Sequence, residues 1–177
     1  MLQYMDRAVF FFINHGISNP FFDFIMPVIS EIGSGPILFA VSLALLFLKK
    51  KEFKVLGLIM LAGLTVSFYL VSAFKILVAR PRPFLVLTDV FLLAKENSMS
   101  FPSNHAATAF MAATALTAYF KRYAVVFYSF ASAVAVSRVY MGVHYPSDVL
   151  AGAIIGCLIG GFLIYISKDL RPRSSAG

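Results

Sequence analysis

Val55 to Val78 reads VLGLIMLAGLTVSFYLVSAFKILV, and its interpretation decides the architecture of the whole chain. One charged residue, Lys75, interrupts it near the end. The run is long enough to cross a hydrocarbon core of about 30 Å as a helix. Lys49, Lys50, Lys51 and Lys54 stand just before it, which marks that end as cytoplasmic by the positive-inside rule. The far end therefore emerges outside carrying Lys75, Arg80 and Arg82, where basic residues do nothing for orientation. Their placement points to a function, although snorkelling to lipid headgroups is the ordinary alternative, above all for Arg80.

The rest of the chain agrees with a membrane setting. Of its 177 residues 60% are apolar and 13% charged, and the mean hydropathy is +0.85, far from soluble averages. The fold class expected is all-α, a polytopic transmembrane helix bundle of about five spans with interfacial helices at the amino terminus. Residues 1–34 are broken by Asn14, His15, Gly16, Asn19 and Pro20 and read as interfacial amphipathic helices. Spans are expected at about 35–48, 55–78, 105–120, 123–141 and 148–166, so residues 1–173 form a single membrane-embedded domain with its transmembrane bundle at 35–167. The last of these runs holds Gly152, Gly156, Gly160 and Gly161, a small-residue face suited to close packing. Ser174 to Gly177 read as a disordered tail or a vector-derived remnant.

This topology places nine of the fifteen basic residues at three cytoplasmic ends, 49–54, 121–122 and 168–173. The net charge of +7 is spread over these clusters with no basic face, which argues against nucleic acid as a partner. Cys157, the single cysteine, lies in an apolar run and reads as a core residue. The start of the chain lacks the features of a cleavable signal peptide, so the spans themselves are expected to direct insertion into a bacterial inner membrane.

Three polar motifs converge on the outer face. Lys75 with Arg82-Pro83 offers an ammonium and a guanidinium for phosphate oxygens. Pro102-Ser103-Asn104-His105 opens a helix, whose free amides and dipole favour an anion. Ser137-Arg138, His144 and Asp148 put three ionisable groups into an apolar stretch, where burial is costly without work or a partner. If a helix starts near Pro146, Asp148 can reach back to one imidazole nitrogen of His144 and leave the other free to attack. The alternative for this last motif is a capped helix start beside a histidine at the membrane surface.

In order and spacing these motifs resemble the three signatures of the phosphatidic-acid phosphatase type 2 superfamily, over about residues 70–165. The resemblance implies a helical membrane phosphatase related to soluble acid phosphatases and vanadium haloperoxidases. It implies His144 as nucleophile, Asp148 as its orienting partner, His105 as acid and then base, and Lys75, Arg82, Ser103, Asn104 and Arg138 as phosphate-binding residues. No metal and no cofactor is implied. One departure stands out: the family usually has Gly at the position of Asn104, a residue that tolerates a left-handed conformation should the turn require one.

The activity implied is removal of phosphate from a phosphorylated lipid, such as undecaprenyl diphosphate, lipid A 1-phosphate or phosphatidylglycerol phosphate, on the periplasmic side. An anion or lipid-phosphate transporter and a lipid phosphotransferase are the competing classes. No inverted repeat or broken helix pair is visible in the sequence to favour transport. A zinc site built from His105, His144 and Asp148 would sit among three cations that repel the metal.

Overall fold

The structure, a computed structural model, describes residues 2–168, and every regular element among them is helical. Arg171, Arg173 and the 174–177 tail, to which the sequence reading gave roles, lie outside the described residues. Helix α1 spans Leu2–Phe11 and runs into a π-helical turn at Phe12–Gly16; α2 spans Pro20–Ile32, α3 Gly35–Leu46 and α4 Lys51–Val78. A short α5, Pro83–Val86, precedes an irregular segment over 87–103; α6 spans Asn104–Tyr119, α7 Ala124–Tyr140 and α8 Pro146–Ile166. Starts follow local signals. Asn19 accepts from the amides of Phe21 and Phe22 at 3.1 Å each, with Pro20 in the first turn of α2.

Five crossings were expected, at α3, α4, α6, α7 and α8, but the described residues hold three helices fit to cross, or four if a bent pair counts as one span, and α6 is not among them. Three stretches are long and apolar enough to cross by themselves: Lys51–Val86, Lys121–Tyr140 and Pro146–Ile166. Helix α3, with 12 residues, rises only about 18 Å and is too short to cross alone. Together with α2 it makes a pair, bent by 47°, whose combined length and composition suit a broken span or a re-entrant loop. The bend falls at Gly33-Ser34, between the two helices.

Helix α6 is short because it is the middle of the bundle rather than one of its walls. It packs against α8, α7 and α4, and Ala106, Ala107, Met111, Ala112, Ala113 and Ala115 are all buried. Its small side chains let neighbours approach closely, which replaces the missing hydrophobic drive between helices in lipid. The α8 glycines complete this contact. A methyl at Gly152 would meet the carbonyl oxygen of Ser103, and one at Gly156 that of Ala107. Leu150, Ile154, Leu158 and Phe162, on the opposite side of α8, are exposed as lipid-facing residues would be.

The N-terminal segment is tied into the bundle and not merely laid on it. Asn14 is fully buried; its amide donates to the carbonyls of Phe91 and Tyr140 at 2.7 Å each and accepts from Phe91 N–H at 2.9 Å. This clamp joins the π-helical turn after α1 to the 87–103 segment and to the end of α7.

Candidate active site

The ends of α4 and α7 and the starts of α6 and α8 meet at one pole of the bundle, away from Lys49–Lys51 and Lys121–Arg122. Helix α4 stops at Ala79, which takes a left-handed conformation with φ of +47° and returns its N–H to the Lys75 carbonyl at 3.0 Å. That geometry costs an alanine about 1 kcal/mol, and Pro81 prevents the helix from continuing. The reversal sends Arg80 and Arg82 to different partners.

Arg82 is 1% exposed, and its guanidinium is used on all sides. Nε donates to the Ser98 carbonyl at 2.6 Å, Nη1 to the Val143 carbonyl at 2.8 Å, and Nη2 to Ser98 Oγ at 3.0 Å and Glu96 Oε2 at 3.3 Å. Arg138, at the end of α7, donates to Ser30 Oγ at 2.8 Å and forms an ion pair with Glu96, while its buried Nε lacks an acceptor. Lys75 donates to Ser98 Oγ at 3.2 Å and to the Met99 carbonyl. The three cations expected to hold phosphate are thus brought together, and the Glu96–Met99 segment meets them all.

Glu96 went unnoticed in the sequence reading. Burial alone would raise its carboxyl, but the guanidinia of Arg138 and Arg82 hold it below its ordinary value of 4.5. The usable signal was charge balance: three cations collected in low dielectric call for a counter-anion, and Glu96 is the one acid between Asp89 and Asp148.

Ser103 caps α6 as expected, its Oγ accepting from Ala106 N–H at 3.4 Å, and its own N–H donates to the Asp148 carbonyl at 3.0 Å. Asn104 is the first residue of α6, and among the described non-glycine residues only Ala79 and Asp89 have positive φ. The left-handed turn considered for Asn104 is therefore not needed. Its side chain, with Oδ1 buried and unpartnered, lines a cavity of about 190 Å³ that it shares with Lys75, Arg82, Glu96, His105 and His144. His105 and Glu96 also line a larger cavity, of about 540 Å³, on the side of α2 and Arg138.

Helix α8 does start at Pro146, and the expected i,i+4 pair forms, with His144 Nδ1 at 3.5 Å from Asp148 Oδ2. That distance is too long for a good hydrogen bond. The same Oδ2 accepts from Ser100 Oγ at 2.5 Å and from Tyr145 N–H at 2.9 Å, so Asp148 caps α8 as well as facing His144. His144 is 2% exposed, and its Nε2 lies 3.3 Å from Arg82 Nη1. Because a guanidinium only donates, this contact requires a lone pair on Nε2 and assigns the proton to Nδ1. Burial pushes the imidazole down to about 4, against the pull of Asp148, so it is neutral near pH 7.

Arg80 does not snorkel. It donates to Asp148 Oδ1 and to Asp6 Oδ2, both at 2.6 Å. Among the described residues no three His, Cys, Asp or Glu side chains are grouped to hold a metal ion.

A membrane-spanning helical bundle that collects three cations, two histidines and a helix amino terminus at one pole has the parts of a phosphoryl-transfer enzyme. Residues 56–172 match the PAP2 superfamily, and the chain belongs to that family of membrane lipid phosphatases, as the motifs had implied. The lipid A 4'-phosphatase of Bacteroides thetaiotaomicron is 32% identical over 186 residues, covering 97% of this chain and 81% of that protein. The undecaprenyl-diphosphatase BcrC of Bacillus subtilis is 30% identical over 163 residues, covering 89% of this chain and 82% of its own. The crystal structure of Aquifex aeolicus LpxE superposes with a TM-score of 0.77 at 31% identity, covering 91% of this chain and 95% of that one.

Proposed function

We propose that the protein removes phosphate from a lipid phosphomonoester or diphosphate at the outer face of a bacterial inner membrane, through a phosphohistidine on His144. The observation that carries this reading is the shared cavity in which His144 Nε2 faces Arg82, with Lys75, Asn104 and His105 also in its lining. Phosphate oxygens take the donors of Lys75, Arg82 and Arg138 together with the amides at the start of α6. These cations supply the charge that a metal would otherwise bring.

In the first step the Nε2 lone pair attacks phosphorus, and the bond from phosphorus to the lipid oxygen breaks. His105 gives that oxygen its proton. In the second step His105 takes a proton from water, the resulting hydroxide attacks phosphorus, and the N–P bond breaks to return Nε2 and free phosphate. Asp148 keeps the His144 proton on Nδ1 throughout.

Residues 1–173 act as one membrane-embedded unit, a reading supported by the Asn14 clamp. The basic clusters on the cytoplasmic ends of the helices support an extracytoplasmic site. The test is a panel of purified enzyme against undecaprenyl diphosphate, lipid A 1-phosphate, phosphatidylglycerol phosphate and phosphatidic acid, scored for released phosphate. Release from at least one of them, lost in His144→Gln, is expected. No release from any lipid phosphate, in detergent that preserves the fold, overturns the reading.

A further inference from the structure

We infer that Asp6 and Arg80 are positioning residues for the His144–Asp148 pair, so that the first helix of the chain takes part in catalysis through a half-buried relay of ion pairs. This rests on the reading of that pair as catalytic. Asp148 presents its two carboxylate oxygens to different partners. Oδ2 faces His144, whereas Oδ1 accepts from Arg80 Nη1 at 2.6 Å. Arg80 is held in turn by Asp6, 8% exposed on α1, through Nη2 at 2.6 Å. Its guanidinium lies 4.0 Å from the centroid of the Tyr145 ring, the residue next to His144.

Ser147 closes the network. Its N–H donates to Asp6 Oδ1 at 2.8 Å, and its hydroxyl donates to Asp6 Oδ2 at 2.6 Å and accepts from Arg80 Nη1 at 2.7 Å. A carboxylate at the amino terminus of α8 is favourable because the first turn carries free amides and the positive end of the dipole. A second carboxylate, Asp148, in the same turn would repel it. Arg80 separates the two as their common counter-ion, and it fixes the plane of the Asp148 carboxylate by holding Oδ1. A guanidinium only at the headgroup level would need none of this, and a capping role would be met by Asp6 alone. Neither Asp6 nor Arg80 lines the cavity that holds both histidines, so both act through Asp148 and neither touches the phosphate.

The experiment uses the full chain in detergent, with Arg80→Gln, Arg80→Lys, Asp6→Asn and the Asp6→Asn/Arg80→Gln double variant, each also made on Asp148→Asn. An aryl phosphate substrate gives kcat and KM, rapid quench gives the rate of phosphoenzyme formation, and calorimetry gives the Kd of inorganic phosphate. In Arg80→Gln and Asp6→Asn, phosphoenzyme formation and kcat fall roughly tenfold or more, as expected when a reacting group loses its alignment, while KM and the phosphate Kd move by less than about twofold. The double variant is no slower than the worse single one, and Arg80→Lys retains more rate than Arg80→Gln. On Asp148→Asn none of the substitutions lowers the residual rate further. Effects that multiply with Asp148→Asn, or a phosphate Kd that weakens in step with kcat, overturn the relay. So does an unchanged kcat in the isosteric Asp6→Asn, which also decides the matter if Arg80→Gln does not fold. A phosphoenzyme that forms at the native rate in the Arg80 variants, while it is lost in His144→Gln and slowed in Asp148→Asn, defeats the relay alone. Its formation at the native rate in those last two defeats the catalytic pair and the relay with it.

Discussion

Glu96 is ion-paired to Arg138 where the cavity of the two histidines adjoins the larger cavity beside α2. The same carboxylate reaches Arg82, so it occupies donors that the proposed function assigns to phosphate. On that proposal an incoming phosphate displaces it. Hydrogen bonds to charged groups contribute about 1.5–3 kcal/mol, so neutralising Glu96 should tighten phosphate binding about tenfold. Calorimetric titration of Glu96→Gln with inorganic phosphate measures this; weaker binding would mean that Glu96 holds the guanidinia in place instead of competing for them. The pH dependence has a definite sign. Because pairing holds the Glu96 carboxyl below 4.5, its contribution to stability is complete above the unfolded value and is lost as pH falls through the lower folded one. The melting temperature of the native protein should drop more steeply below pH 4.5 than that of Glu96→Gln.

The two histidines should separate kinetically. His144→Ala removes the proposed nucleophile and should abolish turnover of every substrate. General acid catalysis is worth roughly 10² to 10⁴-fold, but a good aryl leaving group hardly needs it. His105→Ala should therefore form the phosphoenzyme from an aryl phosphate and stall before hydrolysis. Rapid quench should trap acid-labile protein-bound phosphate in His105→Ala and none in His144→Ala. The opposite pattern would exchange their roles.

The orientation of the bundle is open to a direct test. Lys95 is exposed in the 87–103 segment. In a Cys157→Ala background, Lys95→Cys should react with a membrane-impermeant thiol reagent in intact spheroplasts. Reaction only after lysis would turn the bundle over and put the site in the cytoplasm.

Close packing of α6 on α8 predicts a contrast between two neighbouring glycines. Gly156→Ala drives a methyl into the Ala107 carbonyl and should destabilise by about 1–3 kcal/mol, as overpacking does. Gly161→Ala meets nothing within 4 Å and should be neutral or stabilising by about 1 kcal/mol through helix propensity. Thermal unfolding in detergent compares them; equal losses would contradict the close approach of the two helices.

What the sequence determined by itself about this protein was local. Apolar runs place α4, α7 and α8 because crossing lipid demands a continuous helix. Ser103 and Pro146 mark helix starts, and the four-residue spacing of His144 and Asp148 makes their pairing a property of one turn. Lys75, His105 and Arg138 were legible because each sits at the end of an element whose direction the basic clusters had set. The tertiary structure alone decided what depends on distant partners. Arg80 looked like an anchor for lipid headgroups, since a charge at a helix end has the same appearance in sequence whether it meets a headgroup or Asp6, 74 residues away. Glu96 lies in a segment with no periodicity, so nothing local says that it spans two guanidinia. The bend between α2 and α3 was likewise hidden, because Gly33-Ser34 reads in sequence as a break between separate helices, and only the folded chain shows the two as one bent pair.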